Sequence, residues 1–122
     1  MNELVQRLCK GEHPIAAERS ESATELKEQI DRGFVLLKFT ETKGGTELGS
    51  QLDKESCKLE EADFEKSTGQ VHLVGDLILN YDRVRLIADV DLKTLKGKGR
   101  LELVESEEEI LAREASKGAT SH

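Results

Sequence analysis

Aromatic side chains are scarce in this chain: three Phe, one Tyr and no Trp among 122 residues. Surfaces that stack unpaired bases are therefore almost unavailable. The core must rest on Leu, Val and Ile, with Phe34, Phe39, Phe64 and Tyr81 as the large anchors. Cysteine is equally sparse. Cys9 and Cys57 lie far apart with no CxxC spacing, which fits reduced thiols better than a disulfide framework and offers no zinc motif. The three histidines, His13, His72 and His122, are dispersed, so neither a metal nor a cofactor is expected.

No apolar run approaches the ~20 residues needed to span a bilayer. The opening Met-Asn-Glu-Leu-Val has no basic or apolar stretch of the kind a secretory leader carries. Cytoplasmic location without membrane contact is the expectation. Positive charge is also in deficit. A net charge of −7 opposes binding to phosphates, so no nucleic-acid partner is expected either.

What the chain does contain is two-residue periodicity. Val71, Leu73, Leu77 and Leu79 alternate with His72, Val74, Asp76, Ile78 and Asn80, and after Tyr81-Asp82 the alternation resumes in Val84, Leu86, Ala88, Val90 and Leu92. With Tyr81-Asp82 at the turn, Leu79 faces Val84, Leu77 faces Leu86, Leu73 faces Val90 and Val71 faces Leu92, so one face is wholly apolar. A slip of one residue would mix the faces and lose roughly 1.5 to 3 kcal/mol per exposed side chain. The same register sets His72 against Asp91, Val74 against Asp89, Asp76 against Ile87 and Ile78 against Arg85 on the other face. A final strand over 98–104 would place Lys98 opposite Asp91 and Arg100 opposite Asp89, aligning Ala88 with Leu101 and Leu86 with Leu103.

Upstream, Asn2 can cap a helix carrying Leu4, Val5, Leu8 and Cys9 on one side, stopped by Gly11. His13-Pro14 forces extended chain. Ser22 to Glu25 is a capping box for a helix through Ala23, Leu26 and Ile30, with Gly33 as its stop. Residues 34–40 read as an internal strand covered on both faces. Lys43-Gly44-Gly45 turns the chain into a partner strand over 46–52, residues 55–59 suggest another short strand, and 60–68 a polar connection. From Glu105 the chain is acidic, with a second capping box at Ser106 to Glu109 and a frayed end beyond Arg113.

These elements predict an α+β domain over 1–104: a single antiparallel sheet of five or six strands, flat, curved or partly closed, with one or two N-terminal helices on one face. An acidic tail with a short C-terminal helix follows over 105–122.

Candidate sites are few. His72 beside Asp91 would hold one tautomer, as a general base requires, but a cross-strand ion pair explains the same residues. The glycines of 41–49 do not form a phosphate loop, because they lack GxxxxGK[ST] opening a helix and are flanked by Glu41 and Glu47. Cys57 is more simply a small buried hydrophobe than a nucleophile. Val74, Ile78 and Ile87 form an apolar spot with a charged rim, which suits an interface or an intrachain docking site. The favoured reading is a non-enzymatic accessory or regulatory subunit acting through an unidentified protein partner, a second copy of the chain being one candidate. The alternative is a small-molecule binder or modest enzyme using His72, Asp91 and Arg85 in a curved-sheet pocket.

Overall fold

Helix ends are written most plainly in this chain. Ser22 lies in extended backbone and its Oγ accepts from the Glu25 amide at 3.2 Å, while Glu25 Oε2 accepts from the Glu21 amide at 2.6 Å. Gly33 closes the helix at φ 81°, a left-handed turn that glycine adopts without steric cost. Between these caps runs Ala23–Arg32, which buries Ala23, Leu26 and Ile30.

The computed structural model describes residues 3–42 and 44–120, with side chains through residue 115. Asn2, Lys43 and His122, invoked above as cap, turn residue and dispersed histidine, lie outside the described residues. The elements are α1 (Glu3–Leu8), β1 (His13–Ala16), α2 (Ala23–Arg32), β2 (Phe34–Phe39), β3 (Thr46–Leu52), β4 (Gln70–Leu79), β5 (Asp82–Asp91), β6 (Lys96–Glu105) and α3 (Glu107–Thr120). All neighbouring strands are antiparallel, and the six-stranded sheet closes into a barrel because β1 pairs with both β2 and β6. The α+β architecture agrees with the sequence. α3 runs on to Thr120, past the point where fraying was expected. No described helix is long and apolar enough to cross a membrane.

Inside the barrel lie Ile15, Val35, Leu37, Phe39, Leu48, Val71, Leu73, Val84, Leu86, Ala88, Val90 and Leu101, all buried. Val5 and Leu8 of α1 and the three buried residues of α2 join the same cluster, so both helices pack onto this one core. Gln29 stitches α2 to the sheet: its Nε2 donates to Ser20 Oγ and its Oε1 accepts from the Leu36 amide, each at 3.0 Å. Only one face of β2 is sealed. Phe34 is half-exposed and Leu36 partly so, which corrects the expectation of a strand covered on both sides.

Two registers differ from the sequence reading, each by two residues. In the hairpin Leu79 faces Asp82, Leu77 faces Val84 and Leu73 faces Ala88. The turn is centred on Asn80-Tyr81, both with positive φ (49° and 71°), as in the tight two-residue turn whose twist matches that of paired strands. In the next pair Asp89 faces Lys98, Asp91 faces Lys96 and Leu86 faces Leu101. A shift of two leaves every side chain on its original face. Opposite charges still meet across β5 and β6. The short strand expected over 55–59 is reduced to a single bridge between Lys58 and His72.

One polar group sits awkwardly in this interior. Ser50 is fully buried and its Oγ has no hydrogen-bond partner. An unpaired hydroxyl carries a desolvation cost without return, so Ser50→Ala should match or exceed the parent in urea-denaturation stability, by up to about 1 kcal/mol. A clear loss of stability would show that the hydroxyl is satisfied.

Candidate functional site

His72 faces outward from β4, directly across from Asp89 rather than Asp91. Its Nδ1 donates to Asp89 Oδ1 at 2.8 Å, and both side chains are a third to a half exposed. The displaced partner follows from the tight Asn80-Tyr81 turn. Asp91 instead uses Oδ1 to accept from the Lys93 amide at 2.8 Å and faces Lys96 across the ladder. The pair borders a shallow groove of about 250 Å³ lined by Lys58, Glu60, Glu61, Gln70, His72 and Asp89. It lies on the outer wall, while the barrel interior is filled by aliphatic side chains. This geometry makes a hydrogen-bonded cross-strand pair on the outer wall.

Arg85 is likewise engaged. Its Nε lies 3.3 Å from Asp76 Oδ1 and its Nη2 3.7 Å from Asp53 Oδ2, tying β5 to β4 and to the segment after β3. Ser56 Oγ donates to the same Asp53 oxygen at 2.9 Å. Two carboxylates thus fix the guanidinium to its own sheet.

The apolar trio divides. Val74 is buried, because the segment after β3 folds over it. The Asp53 amide donates to the Val74 carbonyl at 2.9 Å, and Cys57 Sγ accepts from the Val74 amide at 3.3 Å. The Cys57 thiol thereby replaces a missing ladder partner. Ile87 is half-buried between Val74 and Arg100. Ile78 alone is open to solvent, at 68%.

Around Ile78 the structure brings together residues that the sequence kept apart. Tyr81, in the turn, is 73% exposed, and Leu103, Val104 and Leu111 also expose apolar surface. A bulge opposite Arg83 and Val84 sets two β6 residues against one and turns Val104 outward. Asp82, buried beside the turn, accepts from the Glu107 amide at 2.8 Å and so caps α3, a favourable place for a carboxylate. Ser106 Oγ accepts from the Glu109 amide, as the second capping box predicts. Arg113 reaches back to Glu105 at 3.0 Å. Hairpin tip, end of β6 and start of α3 form one end of the molecule.

The adjoining seam between β3 and β4 is open. Among the described residues the two strands share only the pairs Gln51 with Asp76 and Leu52 with Gly75. Beyond these, Gly49 and Glu47 on β3 and Ile78 on β4 continue without partners across this seam, although each is paired with the strand on its other side. Phe34 lies over Gly49, where any Cβ would collide with its ring, and Leu36 borders the same spot. Phe34, Leu36, Gly49 and Ile78 make an apolar margin along this seam. A glycine inside a strand is a recognised sign of close backbone approach. Gly49 carried that signal in the sequence, obscured by the glycine-rich turn before it.

Residues 16–120, from the end of β1 through α3, match the family described as core binding factor beta subunit. No curated protein matches the chain. A match over so much of the sequence shows that the chain belongs to this family. The family is one of non-enzymatic regulatory partners of transcription factors, and it binds RUNX transcription factors, which bind DNA. A protein-interaction role therefore stands. The expectation of no link to nucleic acid is corrected, because the family's protein partners themselves bind DNA: an acidic chain with few aromatic residues says little about what its partners bind.

Burial raises the thiol pKa of both cysteines. For Cys57 the Val74 backbone hydrogen bond opposes that rise, and for Cys9 the Leu103 backbone does so. A raised pKa leaves less thiolate at neutral pH. Both thiols of the folded protein should therefore alkylate with iodoacetamide more slowly at pH 7.5 than free cysteine, and faster once the chain is unfolded. Rapid alkylation of the native protein would contradict the burial described.

Proposed function

We propose, from this family membership and from the exposed apolar end of the barrel, that the chain is the regulatory subunit of a DNA-binding transcription factor. It docks through the β3–β4 seam and the Asn80-Tyr81 turn. The observation that carries the site is the concentration of exposed large apolar side chains there. Phe34, Ile78, Tyr81, Leu103, Val104 and Leu111 are the large apolar residues exposed in the described structure, and Ile78 and Tyr81 are the most exposed of them. Exposed apolar side chains gathered toward one end of a small domain suit an interaction site. Buried aromatic and aliphatic anchors of an interface carry most of its binding energy.

The outer wall around His72 has a different character. Its groove is lined by charged and amide side chains, His72 and Asp89 among them hydrogen-bonded to each other, and Arg85 is held by Asp53 and Asp76. These residues support the sheet.

Titration of the purified chain into a purified RUNX transcription factor tests the reading. Ile78→Asp should weaken binding by roughly tenfold or more, because a carboxylate would be buried at the contact. Tyr81→Gly should weaken binding too while raising the thermal midpoint, since glycine takes positive φ without strain and suits this turn. His72→Gln should leave affinity within about twofold and cost less than ~1 kcal/mol of stability, as expected for a partly exposed pair. Unchanged affinity in Ile78→Asp, or a large loss in His72→Gln, would move the docking surface elsewhere.

A further inference from the structure

We infer that the transcription factor makes a second contact with this chain: a cationic amphipathic segment of it lies over the start of α3 and the outward-turned end of β6, with Leu111 and Val104 as the apolar anchors. The inference rests on the docking reading above and extends it to a surface outside the seam.

Two fixed points orient the helix. Asp82, next to Tyr81 in the chain, accepts from the Glu107 amide at 2.8 Å and so sets the start of α3 against the hairpin turn. Arg113 reaches Glu105 at 3.0 Å and Ile110 is half-buried, so these two residues, three apart, mark the side of the helix turned toward the barrel. Leu111 is on another side. It stands one step, about 100° of rotation, from Ile110 and is 60% exposed. Its neighbours on the helix surface, three and four positions away, include Glu107, Glu108 and Glu114, all exposed. Ahead of the helix the β6 bulge turns Val104 outward as well. The result is apolar side chains bordered by carboxylates and continuous with the turn.

Helix formation accounts for the glutamates only in part. Acidic residues in a first turn favour the helix dipole, and Glu109 completes the capping box with Ser106. An exposed leucine among them adds nothing to either. Arg113 neutralises Glu105 and lies 3.8 Å from Glu114, whereas Glu107 and Glu108 form no ion pair among the described residues. Negative charge is therefore left uncompensated beside the apolar anchors, and it fits a basic partner. Proteins that bind DNA carry Lys and Arg to neutralise phosphates, and the partners of this family bind DNA. A second copy of the chain, with net charge −7 and the same rim, would be repelled, and so would the DNA itself. Charge at the border of an interface speeds association and fixes orientation, while a buried apolar anchor slows dissociation.

Rates of binding to a purified RUNX transcription factor test the contact. Glu108→Gln combined with Glu114→Gln removes two charges and keeps helix propensity. This pair should lower the association rate constant about threefold at low ionic strength, with the difference shrinking as salt is added. Glu60→Gln combined with Glu61→Gln removes the same charge from the far groove, about 30 Å away along β4, and should change that rate by less than about 1.5-fold. Leu111→Ala should raise the dissociation rate constant roughly fivefold with the helix signal in circular dichroism unchanged. Equal effects of the two charge pairs, or unaltered rates in Leu111→Ala, would overturn the α3 contact while the docking reading stands. Failure of the unaltered chain to bind would overturn both.

Discussion

Closure of the barrel depends on how near β1 can come to β6. β1 is four residues long and includes a proline, yet it bonds to strands on both sides. It does so because its inward Ile15 stands opposite Gly97 and next to Gly99. A side chain at Gly97 would run into the Asp89 carbonyl, and one at Gly99 would press on Ile15. Ile15 fills the space that Gly99 leaves empty, and Gly97 lets β6 lie close against the β5 backbone. Without that fit β1 would have no place in the ring, and the sheet would keep two open edges.

Closure in turn decides what the outer wall can be. A flat sheet must hide its second face under helices or a partner. A barrel hides its apolar face within itself, and α1 and α2 add to the same core. The outer wall is then free to carry ion pairs, and rows such as His72–Asp89–Lys98 and Asp76–Arg85–Glu102 run across three strands. Exposed pairs of this type contribute little each. Their effect is to hold the wall polar except where the apolar seam interrupts it.

Much of this was legible in the sequence. Side-chain alternation assigned the faces of β4 and β5 correctly, and both capping boxes mark true helix starts. Register was harder, because period two cannot distinguish a pairing from its neighbour two residues away. The deciding feature was Tyr81 at positive φ, which most residues other than glycine or asparagine avoid. The alternation therefore sets His72 against Asp91, whereas the turn places it against Asp89. Ring closure was illegible for another reason: it brings His13 against Gly99, a contact between strands that no local pattern links. The alternation groups Ile78 with Val74 and Ile87, but the fold of residues 53–58 over Val74 separates them, and the seam depends on where β3 and β4 part.

The cap on α3 has a mechanical side. Asp82 grips the first amide of a 14-residue helix, and Arg113 with Glu105 fastens it once more about two turns along. Such a helix is about 21 Å long, so a tilt of roughly 10° at the cap would swing its far end by about 4 Å. The helix is a pointer whose pivot is the hairpin turn. Small rearrangements beside Tyr81, too slight to alter the barrel, become displacements that a spectroscopic label on α3 can measure.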